Sequence, residues 1–434
     1  MINESALAVL RCPNTQLPLS LSGQQLQAQG FTYPLIKGTP WLFKQPDFML
    51  REWGTKIQCY LEDERLQLKY LQHDLMATRS ALTKQRLTLQ HQARTKNLAL
   101  MKKMLANFLT YPQLNIMPST QQIYSYFQLF FRDWCWDESE IETYVDYSRQ
   151  CMASVNPNSR ILILGSGAGG LGYRLAKHYR EHQFFCIEHN PFLALGAQHI
   201  IQGKSLKLHD VSQYAKSVEQ STQKWEIKIP PLETQNHHTF LASFPDLPFE
   251  AASFDVIIAP WFLDILEQPF GQALTQATSF LKPEGKFVFF GPANVHKAAL
   301  HAQLSHEEIT ACFERLFSQV TASTSTLFYL DSPLNSQRRQ EHIAWVSATA
   351  LRSNQQRSAA QITDTEQHHD ITLTPQWEQY QAKIGTYYNV MTRITHDMSY
   401  AELAVILEKE FGFSGDESLH YAQLFAKRIA QDLS

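Results

Sequence analysis

The sequence has no surplus of either charge. Its 434 residues include 38 Lys+Arg against 41 Asp+Glu, a formal net charge of −3. Proteins that bind nucleic acid draw most of their affinity from a basic surplus that neutralises phosphate, so the balance argues against such a partner. Charge is sparse as well, at 18% of residues. The six cysteines, Cys12, Cys59, Cys135, Cys151, Cys186 and Cys312, never come within CxxC spacing. That scatter reads as reduced, mostly buried thiols rather than a disulfide framework or a zinc knuckle, and we assign no metal. No stretch approaches the roughly 18 uncharged apolar residues of a membrane span. The beginning, MINESALAVLRCPNTQ, has an early acid and only a short apolar run, unlike a signal peptide. These absences point to the cytoplasm. No repeat of fixed period is present.

What is there is core-forming material. Hydrophobic residues make up 44% and aromatics 12%, which excludes a mostly disordered chain. The length predicts about two to four domains. Residues 1–45 carry strand-like pieces (Leu17 to Leu21, Leu26 to Gln29, Phe31 to Ile36) between Ser-Gly, Gln-Gly and Lys-Gly-Thr-Pro turns, a small β-rich module. Residues 46–118 are rich in helix formers, and Gly and Pro vanish after Gly54 until Pro112; they predict a helical arm, a packing element or homodimer contact. Residues 119–350 alternate strand and helix patterns, the signature of a parallel α/β sheet, with buried strands at Arg160–Leu164, Gln183–Ile187, Phe254–Ala259 and Lys286–Phe290. The polar stretch 351–374 reads as a linker, and 375–434 as a small helical domain.

The strongest chemical signal is ILILGSGAGGLGYRLAKHY at 161–179, a strand running into a glycine loop and then a helix. Glycines suit a tight turn that a ligand approaches closely, which nominates Gly165, Ser166, Gly167 and Gly169. About twenty residues on, the next strand ends at Glu188, an acid placed to accept hydrogen bonds from both hydroxyls of a ribose. Dinucleotides and S-adenosylmethionine both use this arrangement. The order LPF, SFD and LKPEG between 247 and 285 resembles the layout of class I methyltransferases over 160–350. The resemblance implies a Rossmann-like fold and S-adenosylmethionine as cofactor. Where many such enzymes carry an acid near the adenine, this chain has Ala242-Ser243-Phe244. Ser243 and Phe244 are then the adenine contacts, with Asp246 as the alternative, and Pro260 closes the fourth strand beside the cofactor.

Three landmarks resemble the carnosine N-methyltransferase family: Arg132-Asp133-Trp134 before the core, Trp261-Phe262-Leu263-Asp264 after the fourth strand, and Gly291-Pro292-Ala293-Asn294-Val295-His296 after the fifth. The resemblance implies N-methylation of an imidazole in a histidine-containing small molecule or peptide. Asp264 and His296 then bind substrate and handle its proton, Arg132 holds the cofactor's methionine carboxylate, and Trp261 and Tyr329 line the substrate pocket. The bland alternatives are a helix cap for Asp264, an ordinary loop residue for His296, and an ion pair with Glu138 or Glu140 for Arg132. Cys12-Pro13, Phe31-Thr32-Tyr33-Pro34-Leu35 and Gly38-Thr39-Pro40-Trp41-Leu42 resemble Trm112-like modules, which often partner methyltransferases. The tail, Asp397-Met398-Ser399-Tyr400-Ala401-Glu402-Leu403 with Leu407 and Phe411, resembles PqqD-like modules, which implies a leader or precursor peptide as partner. Two rival readings remain at this point: an RNA or protein side-chain methyltransferase, and a non-catalytic peptide-binding scaffold.

Overall fold

A computed structural model of the chain describes residues 2–114, 125–266, 268–293, 303–351, 398–411, 414–415, 418–419 and 421–423. The chain divides into two compact units, Met1–Gln361 and Ile362–Ser434.

The first unit opens with helix α1 (Glu4–Val9) and an antiparallel sheet of four short strands, β1 (Ser20–Ser22), β2 (Gln25–Ala28), β3 (Phe31–Ile36) and β4 (Thr39–Pro40). The arm follows as α2 (Pro46–Ala77), which has proline in its first turn, and α3 (Ala81–Met104), capped by the Ser80 hydroxyl. Next come α4 (Ser125–Trp134) and α5 (Ser139–Met152), then the alternating core: β5 (Arg160–Leu164), α6 (Gly170–His178), β6 (Gln183–Glu188), α7 (Pro191–Ile201), the hairpin β7 (Leu206–Val211) and β8 (Thr222–Ile227), β9 (His237–Leu241), β10 (Phe254–Pro260), α8 (Phe270–Thr278), β11 (Leu281–Pro292), α9 (His306–Leu316), β12 (Phe317–Phe328) and β13 (Gln340–Ala350).

Seven of these strands form one sheet in the order β12-β13-β11-β10-β5-β6-β9. Strands β11, β10, β5, β6 and β9 pair in parallel, and β13 runs antiparallel to both β11 and β12. The runs RILIL and FDVIIAP are apolar almost throughout because helices cover both faces. This is the Rossmann-like class I methyltransferase core that the strand pattern implies. The order reverses between β5 and β10, and ligands of open α/β sheets bind beyond the carboxyl ends of strands at such a switch point.

The N-terminal module shares its core with this sheet. Leu10, Leu26 and Tyr33 pack in one cluster with Phe240, Phe249 and Phe254, and Trp41 bridges in parallel to Leu241, which covers the β9 edge. The arm is tied to β7 by paired hydrogen bonds, Asn97 Nδ2 to the His209 carbonyl at 2.7 Å and the His209 amide to Asn97 Oδ1 at 2.9 Å. In the second unit, α10 (Tyr400–Phe411) is capped by Ser399 and Glu402 and buries Leu403, Ala404 and Leu407 with Ala422. Among the described residues, no helix is long and apolar enough to cross a membrane.

Candidate active site

The glycine loop leaves β5 with Gly165 at φ +65° and Gly167 at φ +57°, conformations that L-residues rarely adopt. The two glycines serve different ends. A Cβ on Gly165 would lie 2.6 Å from the Phe262 ring, whereas one on Gly167 would meet nothing within 4 Å. Packing therefore requires the first glycine, and the second faces open space. Ser166 and Gly169 complete the turn: the Ser166 amide donates to the Ile187 carbonyl at 2.9 Å and the Gly169 amide to the Ser166 carbonyl at 3.1 Å.

Glu188 closes the other side. Its Oε2 accepts the Gly167 amide at 2.8 Å, and its Oε1 accepts the His189 and Asn190 amides, both at 2.9 Å. Burial nevertheless pushes its carboxyl up to about 7, against the lowering by these amides. Burial, and then the Glu188 charge, lift the nearby Tyr126 phenol to about 12. Sequence reasoning missed Tyr126, which stands among the aromatics before Arg132. The Ser243 hydroxyl lies 3.1 Å from His189 Nδ1, and the Phe244 ring meets Phe262 edge-on at 5.7 Å.

Asp133 and Trp134 sit against this loop, and Arg132 pairs with Asp133. Trp134 Nε1 donates to the Ala168 carbonyl and Asp133 Oδ2 accepts the Gly170 amide, both at 2.9 Å. Arg132 gives its Nε and Nη2 to Asp133 Oδ1 at 2.8 and 2.7 Å, and its Nη1 stands 3.9 Å from Glu140. The guanidinium is thus engaged by protein carboxylates, with Glu140 among them as one sequence alternative had it and Asp133 in front. Asp133 and Trp134, which carried only the resemblance, are the structural links.

At the end of β10, Pro260 pairs with Phe290 and the chain turns sharply at Trp261, whose φ is +48°. The Trp261 ring stacks on Tyr329 at 4.1 Å, and its Nε1 is buried without a partner. One helical turn, Leu263–Ile265, then presents Asp264. This side chain is 7% exposed, and its Oδ1 has no hydrogen-bond partner. It makes no capping bond, since the next helix starts only at Phe270 after Pro269. Burial pushes its carboxyl up to about 6, with Glu341 raising it further and Arg339 opposing. Tyr329 is near enough to Arg132, Glu140, Arg339 and Asp264 to feel their charges. Arg132, Trp261, Asp264 and Tyr329 therefore converge, while Ser243 and Phe244 stand by Glu188 and Phe262. His296 lies outside the described residues.

These residues fit S-adenosylmethionine: an open glycine face, a buried carboxylate at the end of β6, and beyond β10 two buried polar atoms left unpaired, Trp261 Nε1 and Asp264 Oδ1. A comparison with curated protein sequences gives no match. Among solved structures, the chain is similar to a complex of the Haloferax volcanii Trm112 methyltransferase activator and its putative methyltransferase, at 15% identity and TM-score 0.35 over 54% of this chain and 100% of that one. It is also similar to the N-methyltransferase NodS of Bradyrhizobium japonicum WM9 with S-adenosylhomocysteine, at 14% and 0.34 over 52% and 97%. A third is the Haemonchus contortus phosphoethanolamine N-methyltransferase 2 with S-adenosylmethionine, at 11% and 0.35 over 55% and 58%. Likeness at these scores carries no argument about this chain. The family evidence comes from the sequence, where the carnosine N-methyltransferase family matches residues 112–378. That match takes in more than half of the chain, including the glycine loop and the Asp264 turn: the chain belongs to the carnosine N-methyltransferase family and is an S-adenosylmethionine-dependent N-methyltransferase.

Proposed function

We propose that the methyl acceptor is an imidazole nitrogen of a histidine-containing small molecule or peptide. The observation that carries this is Asp264, a buried carboxylate with an unpaired oxygen beside the Trp261–Tyr329 stack. S-adenosylmethionine, when bound, supplies an electrophilic methyl on a sulfonium. An imidazole attacks through the lone pair of one ring nitrogen and presents an N–H at the other. Asp264 accepts that N–H, fixes the tautomer, and stabilises the cation formed as the methyl arrives. The Trp261–Tyr329 stack walls the acceptor side, where aromatic surface favours the growing positive charge. His296 keeps, by the family resemblance, the role of relaying a proton or holding the substrate's carboxylate.

On the cofactor side, Glu188 takes the ribose hydroxyls, Gly165, Ser166, Gly167 and Gly169 give the backbone its close approach, and Ser243, Phe244 and Pro260 border the adenine. Arg132, set between Asp133 and Glu140, meets the methionine carboxylate. The N-terminal module is read as a Trm112-like element built into the chain, and the C-terminal unit as a PqqD-like module that binds a leader or precursor peptide.

The test is methyl transfer from labelled S-adenosylmethionine to carnosine, histidine and histidine-containing peptides, with the product located by NMR. A label on a ring nitrogen is expected. Transfer only to primary amines, or to none of these acceptors, would sink the imidazole reading.

A further inference from the structure

We infer that Phe43 of the N-terminal module and Trp53 of the helical arm are positioning residues of the cofactor site, acting through His189. The inference rests on Glu188 and Ser243 as cofactor contacts.

The chain path starts at the β9 edge. After the Trp41–Leu241 bridge, the Leu42 amide donates to the Leu241 carbonyl at 2.7 Å, so the N-terminal chain runs beside the end of β9. The next residue, Phe43, is buried and meets the His189 ring edge-on at 5.4 Å. Trp53, buried in the second turn of α2, meets the same ring at 5.5 Å. Its indole N–H is buried with no acceptor, and its ring lies between His189 and the Lys56 ammonium, which stands 5.0 Å from the ring centre.

His189 has the placement to transmit this. Its amide binds Glu188 Oε1, its Nδ1 lies 3.1 Å from the Ser243 hydroxyl, and the Ala242 amide donates to the Glu188 carbonyl at 3.2 Å. The two strand ends that border the adenine are thus joined through one ring, whose orientation two aromatic residues fix. A ring held in place restricts the Ser243 hydroxyl before any ligand arrives, and preorganisation of this kind lowers the ordering cost of binding. Phe43 and Trp53 then raise cofactor affinity without touching the cofactor.

The experiment is calorimetric titration of the full chain with S-adenosylhomocysteine, which requires no methyl acceptor. Trp53→Ala, Phe43→Ala and His189→Ala are each expected to weaken binding about tenfold. Trp53→Ala combined with His189→Ala should weaken it no further than either alone, because both act on one element. Trp53→Phe keeps an aromatic ring against His189 and should recover most of the affinity. If Trp53→Ala does not fold, Phe43→Leu gives the same reading through a smaller loss. Wild-type affinity in Phe43→Ala and Trp53→Ala, or in Phe43→Leu where it stands in for them, or losses that add independently to that of His189→Ala, would overturn the inference. Unchanged binding in Glu188→Gln would instead overturn the cofactor reading beneath it.

Discussion

Asp133 Oδ2 accepts the Gly170 amide at 2.9 Å, which ties the segment before the core to the first turn of the helix after the glycine loop. A carboxylate is favourable there because amides at a helix start lack partners and carry partial positive charge. The contact leaves no room for a side chain on Gly170, whose Cβ would lie 2.7 Å from that of Asp133. Arg174 of α6 closes the link from the other side, donating to the Asp133 carbonyl at 2.9 Å.

Asp133→Asn is therefore expected to be strongly destabilising. Asp133 is 1% exposed, and its loss of charge leaves the Arg132 guanidinium with the more distant Glu140 carboxylate at 3.9 Å and the Tyr144 ring at 5.7 Å. Breaking a buried pair on one side costs about 3 kcal/mol. Urea unfolding of the variant should show a loss of that order, and S-adenosylhomocysteine affinity should fall with it. An unchanged midpoint would mean that the pair contributes nothing to the fold.

Glu188 predicts a proton linkage. Its carboxyl, raised from 4.5 to about 7 by burial, holds a proton more tightly in the folded cofactor-free protein than in the unfolded chain. That contribution to stability is fully present below about pH 4.5 and is lost as pH rises through 7. In the proposed role ribose hydroxyls would donate to the ionised form, so cofactor binding should strengthen from pH 6 to pH 8 and release a proton near neutrality. Calorimetry in buffers of different ionisation enthalpy reads this release. Glu188→Gln should abolish it and weaken binding roughly thirtyfold, the loss of a hydrogen bond to a charged group.

The glycine loop and Glu188 were legible in the sequence because they are local: a strand, a turn and the end of the next strand lie within some thirty residues. Asp264 was legible as a residue type at a strand end, and its unpaired oxygen was not, since that depends on what packs around it. Arg132 shows the limit most clearly. Whether a guanidinium meets a ligand or a neighbouring carboxylate is decided by how α4 docks on the loop, and sequence spacing says nothing of that. The same holds for the N-terminal module, whose turns announce themselves while the Trp41–Leu241 bridge spans 200 positions. Strand β12 is hidden for another reason: its Thr-Ala-Ser-Thr-Ser-Thr run has no apolar alternation, being an exposed edge.

Gly165→Ala and Gly167→Ala should separate packing from binding. Both positions have positive φ, at a cost of about 1 kcal/mol for alanine. Gly165→Ala adds a clash with Phe262 and should lower the melting temperature well beyond that cost. Gly167→Ala places its methyl in open space, so its stability loss should stay near the backbone cost while S-adenosylhomocysteine binding falls sharply. Equal affinity losses with equal melting shifts would remove the distinction.

Asp264→Asn should lose activity and gain stability. The ionised carboxyl is buried with Oδ1 unpaired, and burial raises its pKa from 3.8 to about 6. A raised carboxyl pKa means that the folded state disfavours the charge, so above pH 6 the native carboxylate is a net cost. Replacing it with a neutral amide of the same shape should recover about 1 to 2 kcal/mol at pH 8 in urea unfolding. S-adenosylhomocysteine affinity should be nearly unchanged if, as proposed, the residue serves the acceptor. Turnover on an imidazole acceptor should fall by about 10²-fold to 10⁴-fold, the usual weight of a positioned acid–base group. In the wild type, the proposed role makes kcat at saturating acceptor rise with pH around 6, as the carboxylate forms that would accept the imidazole N–H. A purely structural Asp264 predicts the opposite pairing, stability lost with turnover retained, so measuring both on one variant decides between them.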